Sequence, residues 1–375
     1  MFFKTDISFK VVTGFVMGNV YSNSKMFHYH DKLDDIQAGR LSAPIHVRLK
    51  PTNFCTHRCY YCCYRNDELY LSERMNERDK IGREKMQEII SDLGQMGVKA
   101  VTLTGGGEPL CYRYIVETIQ GLLDAGIKVA MLTHGGLLKG EVVELLARRA
   151  VWVRISMDAA DRETYAKNRG VALEEFDRVC ENIRNFADVE GRKCVLGLNL
   201  IVTKDNSANV LDFLRMAKKL GADHVKASGA VVSTKRRENT EYMKPFYQSV
   251  KDQIAEGIRT FGDDSFAIID KFHLPDSTEE GFERQYKWCP FAQYLTVIAA
   301  DENVYTCQDK AYTNSGLLGS IKNKSFAKLW FSDELKQKLL TLNPGKECRH
   351  HCVAHGKNVM LLDYFEADQE HLDFV

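Results

Sequence analysis

The sequence predicts an α/β protein: a partial (β/α)6 TIM-like barrel followed by a small C-terminal cysteine-rich domain of a β-hairpin and helices. Three observations lead to this prediction. Short apolar runs alternate with amphipathic helical stretches from Ile45 to Lys226. A loop after the first apolar run holds four of the 11 cysteines. Four further cysteines lie after residue 286.

The predicted barrel strands are the short apolar runs, and the predicted helices are the amphipathic stretches between them. The strands are 46–49, 100–103, 128–132, 151–155, 195–202 and 224–226. The helices lie near 83–96, 114–125, 138–148, 173–186 and 210–220. Right-handed crossovers curl six such units into an open barrel. Its active site is expected in the loops after the C-terminal ends of the strands.

The length predicts more than one domain, because 375 residues exceed the size at which a single core usually stops growing. We expect four segments, which are an N-terminal extension (1–44), the barrel (45–230), a bridging segment (231–285) and the cysteine-rich domain (286–375). The extension is expected to hold a short hairpin and a helix near 25–37. The bridging segment is expected to hold a helix near 242–261 and a polar loop around 275–280.

Composition excludes several partners. Lys plus Arg and Asp plus Glu number 51 each, so the net charge gives no reason to expect nucleic acid or an anionic membrane. No apolar run is long enough to span a membrane, and the N-terminus lacks a signal-peptide pattern. We therefore expect a cytoplasmic protein. Many cysteines without an export signal favour reduced, metal-binding thiols over disulfides.

The loop at residues 51–65, PTNFCTHRCYYCCYR, carries the strongest motif. Cys55, Cys59 and Cys62 are spaced C-x3-C-x2-C, and three thiolates from one loop can hold three corners of a cubane iron–sulfur cluster while leaving the fourth iron open. The motif alone also permits a zinc site. We interpret Cys63 as packing against the site or lining it, because adjacent residues rarely direct both thiolates at one cluster.

A glycine-rich loop, TGGGEP at residues 104–109, follows the second strand. Consecutive glycines let the backbone approach a ligand closely, and the Glu108 carboxylate can accept a hydrogen bond from an ammonium group. Because this loop shares the barrel rim with the cysteine loop, we expect the two loops to form one site.

Together these loops resemble the radical S-adenosylmethionine (radical SAM) enzymes. The resemblance implies that Cys55, Cys59 and Cys62 bind a [4Fe-4S] cluster whose open iron is chelated by the amino and carboxylate groups of S-adenosylmethionine (SAM). The residues that it places at the cofactor are Tyr61 beside the adenine, Gly106, Gly107 and Glu108 at the methionyl amine, Ser156 of an S-x-D strand end, Arg169 at the cofactor carboxylate, and Asn199 at the barrel mouth.

Two residues are candidates on the substrate side. His134 stands where the family commonly has asparagine after the third strand, which places it near the substrate. An epimerase would need a thiol that donates a hydrogen atom, and the cysteines outside both metal sets are Cys63, Cys111, Cys180 and Cys194. Cys111, directly after the glycine-rich loop, is the best placed of these.

The C-terminal cysteines predict a second metal site. Cys289 and Cys307 bracket an apparent hairpin (294–298 and 304–306), and Cys348 and Cys352 follow a helix near 326–340. Four thiolates can close a site with no open iron. The arrangement resembles the auxiliary-cluster domain of radical SAM enzymes in its shorter twitch form, with one [4Fe-4S] cluster, and lacks the seven cysteines of the SPASM form. Zinc in the same pocket is the alternative.

The resemblance implies that one electron, from a flavodoxin- or ferredoxin-type donor, cleaves SAM to methionine and a 5′-deoxyadenosyl radical, which removes a hydrogen atom from the substrate. The C-terminal segment, with CRHHC, Asn358 and residues 371–375, is similar to endings of radical SAM proteins of aminoglycoside and polysaccharide pathways. We therefore expect oxidation, epimerisation or dehydration of a sugar- or nucleoside-like small molecule. The alternatives are modification of a ribosomally made peptide and a non-catalytic iron–sulfur electron carrier.

Overall fold

The computed structural model describes residues 20–65, 69, 72–274, 284–348 and 350–374. The strands are β1 His46–Leu49, β2 Ala100–Leu103, β3 Lys128–Thr133, β4 Trp152–Ser156, β5 Val195–Val202, β6 His224–Gly229, β7 Ala267–Lys271, β8 Leu295–Ile298, β9 Asn303–Tyr305 and β10 Leu317–Ser320. The expected polar loop at 275–280 and the first 19 residues of the expected N-terminal extension lie outside the described residues.

The described α-helices lie between residues 30 and 366. They are α1 His30–Gln37, α2 Arg83–Gln95, α3 Ile115–Asp124, α4 Glu141–Arg149, α5 Arg162–Arg169, α6 Glu174–Ala187, α7 Val210–Lys219, α8 Arg236–Met243, α9 Tyr247–Phe261, α10 Phe326–Trp330, α11 Asp333–Thr341, α12 Pro344–Glu347 and α13 His355–Glu366. No helix in this described part is both long and apolar enough to cross a membrane.

One sheet of ten strands organises the molecule, in the order β10-β9-β8-β1-β2-β3-β4-β5-β6-β7. Strands β1 to β7 run parallel to their neighbours, as expected for β/α units. The predicted α/β class and partial barrel are confirmed. Strand β7, which the sequence analysis did not predict, follows α9 and extends the barrel beyond β6.

The predicted C-terminal hairpin is present as β8 and β9, but it joins the barrel sheet. Strand β8 pairs in parallel with β1, with His46 opposite Leu295 and Leu49 opposite Ile298. This pairing satisfies the N–H and C=O groups along the edge of β1 that β2 leaves open. The C-terminal cysteines are therefore attached to the strand that leads into the cysteine loop.

Two predicted helices are each divided. The expected helix 242–261 is replaced by α8 and α9 with a 3-10 turn at Lys244–Phe246 between them, because Pro245 lacks the N–H that a continuous helix needs. The expected helix 326–340 is divided into α10 and α11, and the Ser332 side chain caps α11 by accepting from the Leu335 N–H.

Side chains alternate across the barrel strands. Val47 and Leu49 on β1, like Val153 and Ile155 on β4, are fully buried in the core between the sheet and the helices. The residues between them must point to the other face, into the barrel interior. A second, smaller core joins the N-terminal segment to α13 through Leu33, Leu361 and their neighbours.

Candidate active site

The cysteine loop leaves the C-terminal end of β1 and folds back on itself. The Cys62 N–H donates to the Cys59 carbonyl at 3.2 Å, and the Arg65 N–H donates to the Cys62 carbonyl at 2.9 Å. Cys55, Cys59 and Cys62 are all partly exposed, and the charge of Cys59 acts on both of the others. All three lie on this one loop, and their joint ligation of one cluster stays a prediction.

The surroundings of these sulfurs suit metal-bound thiolates. The Cys55 Sγ accepts from the His57 N–H at 3.4 Å, and the Cys59 Sγ accepts from the Arg169 guanidinium at 3.4 Å. Burial raises the pKa of Cys55 to about 11 and also raises the pKa of Cys62. A thiolate at these positions needs a nearby positive centre, which a metal supplies. The donor set therefore fits an iron–sulfur cluster.

The glycine-rich loop lies directly on the backbone of the cysteine loop. A Cβ atom on Gly107 would lie 2.1 Å from the Phe54 carbonyl oxygen, and one on Gly106 would lie 2.3 Å from the Asn53 Oδ1. The Glu108 N–H donates to the Phe54 carbonyl at 2.8 Å. Only glycine permits this approach, so the two motifs form one rigid unit.

Glu108 is buried, and donors on several sides fix its carboxylate. It accepts from the Thr133 hydroxyl at 2.6 Å, from the His134 N–H at 2.8 Å and from the Leu110 N–H at 3.0 Å. Burial raises the pKa of Glu108, and these three hydrogen bonds act against that rise. The end of β3 therefore orients the carboxylate of the glycine-rich loop.

His134 lies behind the cysteine loop. Its Nδ1 accepts from the Gly136 N–H at 3.0 Å, so the ring carries its proton on Nε2 and donates it to the Thr56 hydroxyl at 3.0 Å. The ring stacks on His57 with centroids 3.7 Å apart. Burial lowers the pKa of His134 to about 3. His57, His134 and Glu175 are close enough to share a metal, but both His134 nitrogens already have partners. This placement favours positioning the loop over contact with substrate.

Asp158, which sequence reasoning quoted only as part of an S-x-D strand end, is the centre of a buried polar network. It has a positive φ of 58°. Its Oδ1 accepts from the Ile201 N–H at 2.6 Å, and its Oδ2 accepts from the Tyr61 hydroxyl at 2.9 Å and from the Arg169 guanidinium. A non-glycine residue in this conformation is strained and is often found at functional sites. The signal for it was the carboxylate two residues after Ser156.

Arg169 contacts the cysteine loop through both its side chain and its backbone. Besides Asp158 and Cys59, it bonds to the Ser156 carbonyl, while its Nε has no partner. The Arg169 carbonyl also accepts from the Arg58 N–H at 2.7 Å. Contact between Arg169 and the cofactor carboxylate stays a prediction, because its terminal nitrogens are already bonded within the protein.

Ser156, the last residue of β4, lies beside Asn199 in the middle of β5, where the two are register partners. Both are partly exposed and alternate with buried residues, so their side chains point into the barrel. Cys111 lies elsewhere, beside Glu108 and Cys55, and burial raises its pKa to about 12. The cavity at the barrel mouth is lined by Cys63 and not by Cys111.

That cavity has a volume of about 270 Å³ and lies between the two sets of cysteines. Its lining residues come from the end of β1, the cysteine and glycine-rich loops, the segment after β6, and residues adjacent to the C-terminal cysteines. They are Arg48, Lys50, Cys63, Tyr64, Leu69, Thr104, Gly105, Val231, Ser233, Thr234, Gln308, Asp309, His350 and His351.

The four C-terminal cysteines affect one another electrostatically. The charges of Cys289, Cys348 and Cys352 all act on Cys307, whose pKa burial raises well above its usual value. The Cys289 Sγ accepts from the Asn358 side-chain amide at 3.3 Å. All four thiols are free and partly exposed, and their joint binding of a metal stays a prediction.

Comparison with known proteins agrees with this geometry. The sequence matches the radical SAM superfamily over residues 49–217. A probable GTP 3′,8-cyclase of Saccharolobus islandicus (strain M.14.25 / Kamchatka #1) is 29% identical over 180 residues, which cover 48% of this chain and 54% of that protein. The AdoMet-dependent heme synthase of Methanosarcina barkeri is 24% identical over 315 residues, which cover 80% of this chain and 85% of that protein.

Solved structures share the fold across the barrel and the C-terminal region. Streptococcus suis SuiB bound to its precursor peptide SuiA has a TM-score of 0.60 at 18% identity, covering 83% of this chain and 70% of SuiB. Native anSMEcpe with bound AdoMet has a TM-score of 0.55 at 14% identity, covering 86% of this chain and 97% of anSMEcpe. The match with the cyclases spans about half of their length, 54%. Residues 49–217, which include both motif loops, are therefore a radical SAM domain.

Proposed function

We propose that this protein is a radical SAM enzyme that oxidises, epimerises or dehydrates a sugar- or nucleoside-like small molecule. The observation that carries the proposal is the packing of the glycine-rich loop on the cysteine loop, with Gly107 and Glu108 against the Phe54 carbonyl. This contact joins the loop that carries the Glu108 carboxylate to the loop that carries the three cysteines. A bound [4Fe-4S] cluster with SAM supplies the 5′-deoxyadenosyl radical that removes the substrate hydrogen atom.

The chain's own residues position and shield that chemistry. Cys55, Cys59 and Cys62 would hold the cluster. The N–H groups that donate to the sulfurs of Cys55 and Cys59 stabilise these ligands as thiolates. Glu108 is oriented to accept from the amino group of SAM. The side chains of Ser156 and Asn199, at the barrel mouth, are placed for the ribose or the substrate.

The size of the cavity supports a small molecule as the substrate. About 270 Å³ is close to the lower limit of small-ligand sites, which begin at roughly 300 Å³. Two of the curated relatives are also named for small-molecule chemistry, as a probable GTP 3′,8-cyclase and a heme synthase. Peptide modification, for which the structure of SuiB with its precursor peptide is a precedent of fold, is the second candidate.

The test of the radical reaction is anaerobic. The protein is reconstituted with iron and sulfide, reduced with dithionite in place of the flavodoxin- or ferredoxin-type donor that we propose, and given SAM. We expect 5′-deoxyadenosine from the wild type and from Cys180→Ala, whose thiol is buried on α6, and none from Cys55→Ala. A protein with a complete first cluster that does not cleave SAM would refute the proposal.

We further propose that Cys289, Cys307, Cys348 and Cys352 hold a second [4Fe-4S] cluster. The proposal is supported by the electrostatic effect of the other three thiols on the pKa of Cys307. The chain with alanine at Cys55, Cys59 and Cys62 should keep about four irons after reconstitution. Detection of zinc in place of those irons would refute the second cluster and would indicate a structural zinc site.

A further inference from the structure

The barrel interior carries positive charges on strands that are far apart in sequence. On β1, Arg48 alternates with the buried Val47 and Leu49, so its side chain points inward, where it lines the cavity. On β4 and β6, Arg154 and Lys226 occupy the same inward positions between buried apolar residues.

These three cations act on one another across the barrel. Arg48 and Arg154 both repel Lys226, and burial together with this repulsion lowers the pKa of Lys226 to about 8. Arg48 itself lines the cavity. The three cations therefore surround one region, and that region adjoins the proposed substrate cavity.

No carboxylate within the described ranges lies within ion-pair distance of Arg48, Arg154 or Lys226. The Nε atoms of Arg48 and Arg154 are buried and have no hydrogen-bond partner, although Arg154 donates to the Tyr21 hydroxyl at 3.2 Å. Buried charges without partners are costly and are usually compensated by a ligand or a counter-charge.

Two further charged groups lie near these cations, and Asp309, whose charge acts on Arg48, is the negative one of the two. The Lys50 ammonium donates to the Tyr64 hydroxyl and, at 3.1 Å, to the Gly105 carbonyl. It is therefore bound by the cysteine loop and the glycine-rich loop and is not counted with the three cations. Asp309 is the carboxylate that lines the cavity, and its Oδ2 accepts from the Val353 N–H at 3.0 Å. One carboxylate facing three cations leaves the region positive.

We propose that Arg48, Arg154 and Lys226 bind an anionic group of the substrate, a phosphate or a carboxylate. This inference rests on the proposed function, because the cavity is the one in which the substrate would lie. It narrows the expected sugar- or nucleoside-like molecule to one that carries a negative charge. Guanidinium groups suit both anions, because their paired N–H donors match two oxygens at once.

The test measures thermal unfolding of the reconstituted holoenzyme without SAM or reductant, so it does not depend on radical chemistry. The probes are sodium phosphate and sodium succinate, each compared with sodium chloride at equal ionic strength. We expect one probe to raise the wild-type Tm by roughly 3 °C at saturating concentration. Phosphate and succinate thereby distinguish the two kinds of anion.

The variants Arg48→Met and Lys226→Met should lose this rise in Tm. Without a probe they should be at least as stable as the wild type, because each loses an uncompensated buried charge. The matched control is Arg148→Met, which removes an exposed cation of α4 and should keep the rise.

Equal shifts in the wild type and the variants, or no shift with either probe, would overturn the proposal. It would also be overturned if Arg48→Met kept the shift but lost iron, since the cations would then balance the charge of the clusters. None of these results would contradict the proposed SAM cleavage. Absence of SAM cleavage alone would not contradict the proposed anion site.

Discussion

The contact between the two motif loops gives the sharpest prediction, through Gly107→Ala. The added Cβ would lie 2.1 Å from the Phe54 carbonyl oxygen and 2.4 Å from the Asn53 carbonyl carbon. Ordinary contact begins at 3.4 Å, so one loop must move by about 1.3 Å. Both obstacles are backbone atoms and no side-chain rotation relieves them.

Such overpacking costs about 1–3 kcal/mol of unfolding free energy. With an unfolding entropy of about 2.1 cal/mol/K per residue, a chain of this length should lose roughly 1–4 °C in Tm. The effect on catalysis should be larger, because a misplacement of about 1 Å costs on the order of 100-fold in rate. We expect 5′-deoxyadenosine formation to fall by about that factor.

The matched control is Gly82→Ala, where a Cβ meets nothing within 4 Å and φ is −64°. It should change stability by less than about 0.5 kcal/mol and leave SAM cleavage unchanged. The assays are thermal unfolding of the apoprotein and single-turnover 5′-deoxyadenosine formation by the reconstituted protein. If Gly107→Ala matched Gly82→Ala in both, the close approach of the two loops would be wrong.

Two further predictions concern buried charge. Arg169→Met leaves the Asp158 carboxylate buried without its cation and should lower the free energy of unfolding in urea by about 3–5 kcal/mol. The control Arg162→Met removes a mostly exposed partner of Asp177 and should lower it by less than about 1 kcal/mol. Similar losses in the two variants would refute the network. Burial lowers the pKa of His224 to about 4, so the folded state disfavours its proton and the protein should lose stability as the pH falls from about 6.5 towards 4, by at most about 1.4 kcal/mol per pH unit from this group. The slope should be shallower in His224→Gln and unchanged in the exposed His371→Gln, and equal slopes in all three proteins would contradict the assignment.

Local patterns were sufficient to predict the barrel, because each strand from β1 to β6 is a short apolar run that a helix separates from the next. Strand β7 escaped prediction because its five residues are only partly buried or exposed and end in Asp270 and Lys271. The position of β8 beside β1 joins residues about 250 apart, and no local pattern encodes that pairing.

The contact between the two motif loops could be predicted from strand ends, whereas the polar network around Asp158 could not, because it depends on side-chain direction. The meeting of the cysteine and glycine-rich loops follows from their places after β1 and β2. The network around Asp158 depends on a positive φ, which the residue type hardly signals. The inward cations were visible as polar residues alternating with apolar ones, as in the run from His46 to Lys50, but only the barrel brings Arg48 and Lys226 to one region.

The parallel pairing of β8 with β1 has a practical consequence for dissecting the protein. Removal of the chain after residue 286 would uncover the backbone of β1 along its whole length, next to the loop that carries Cys55. An uncovered edge of this kind recruits strands from other molecules. The barrel expressed alone should therefore self-associate. Because both groups of cysteines are attached to one sheet, the segments that carry them should unfold in the same transition.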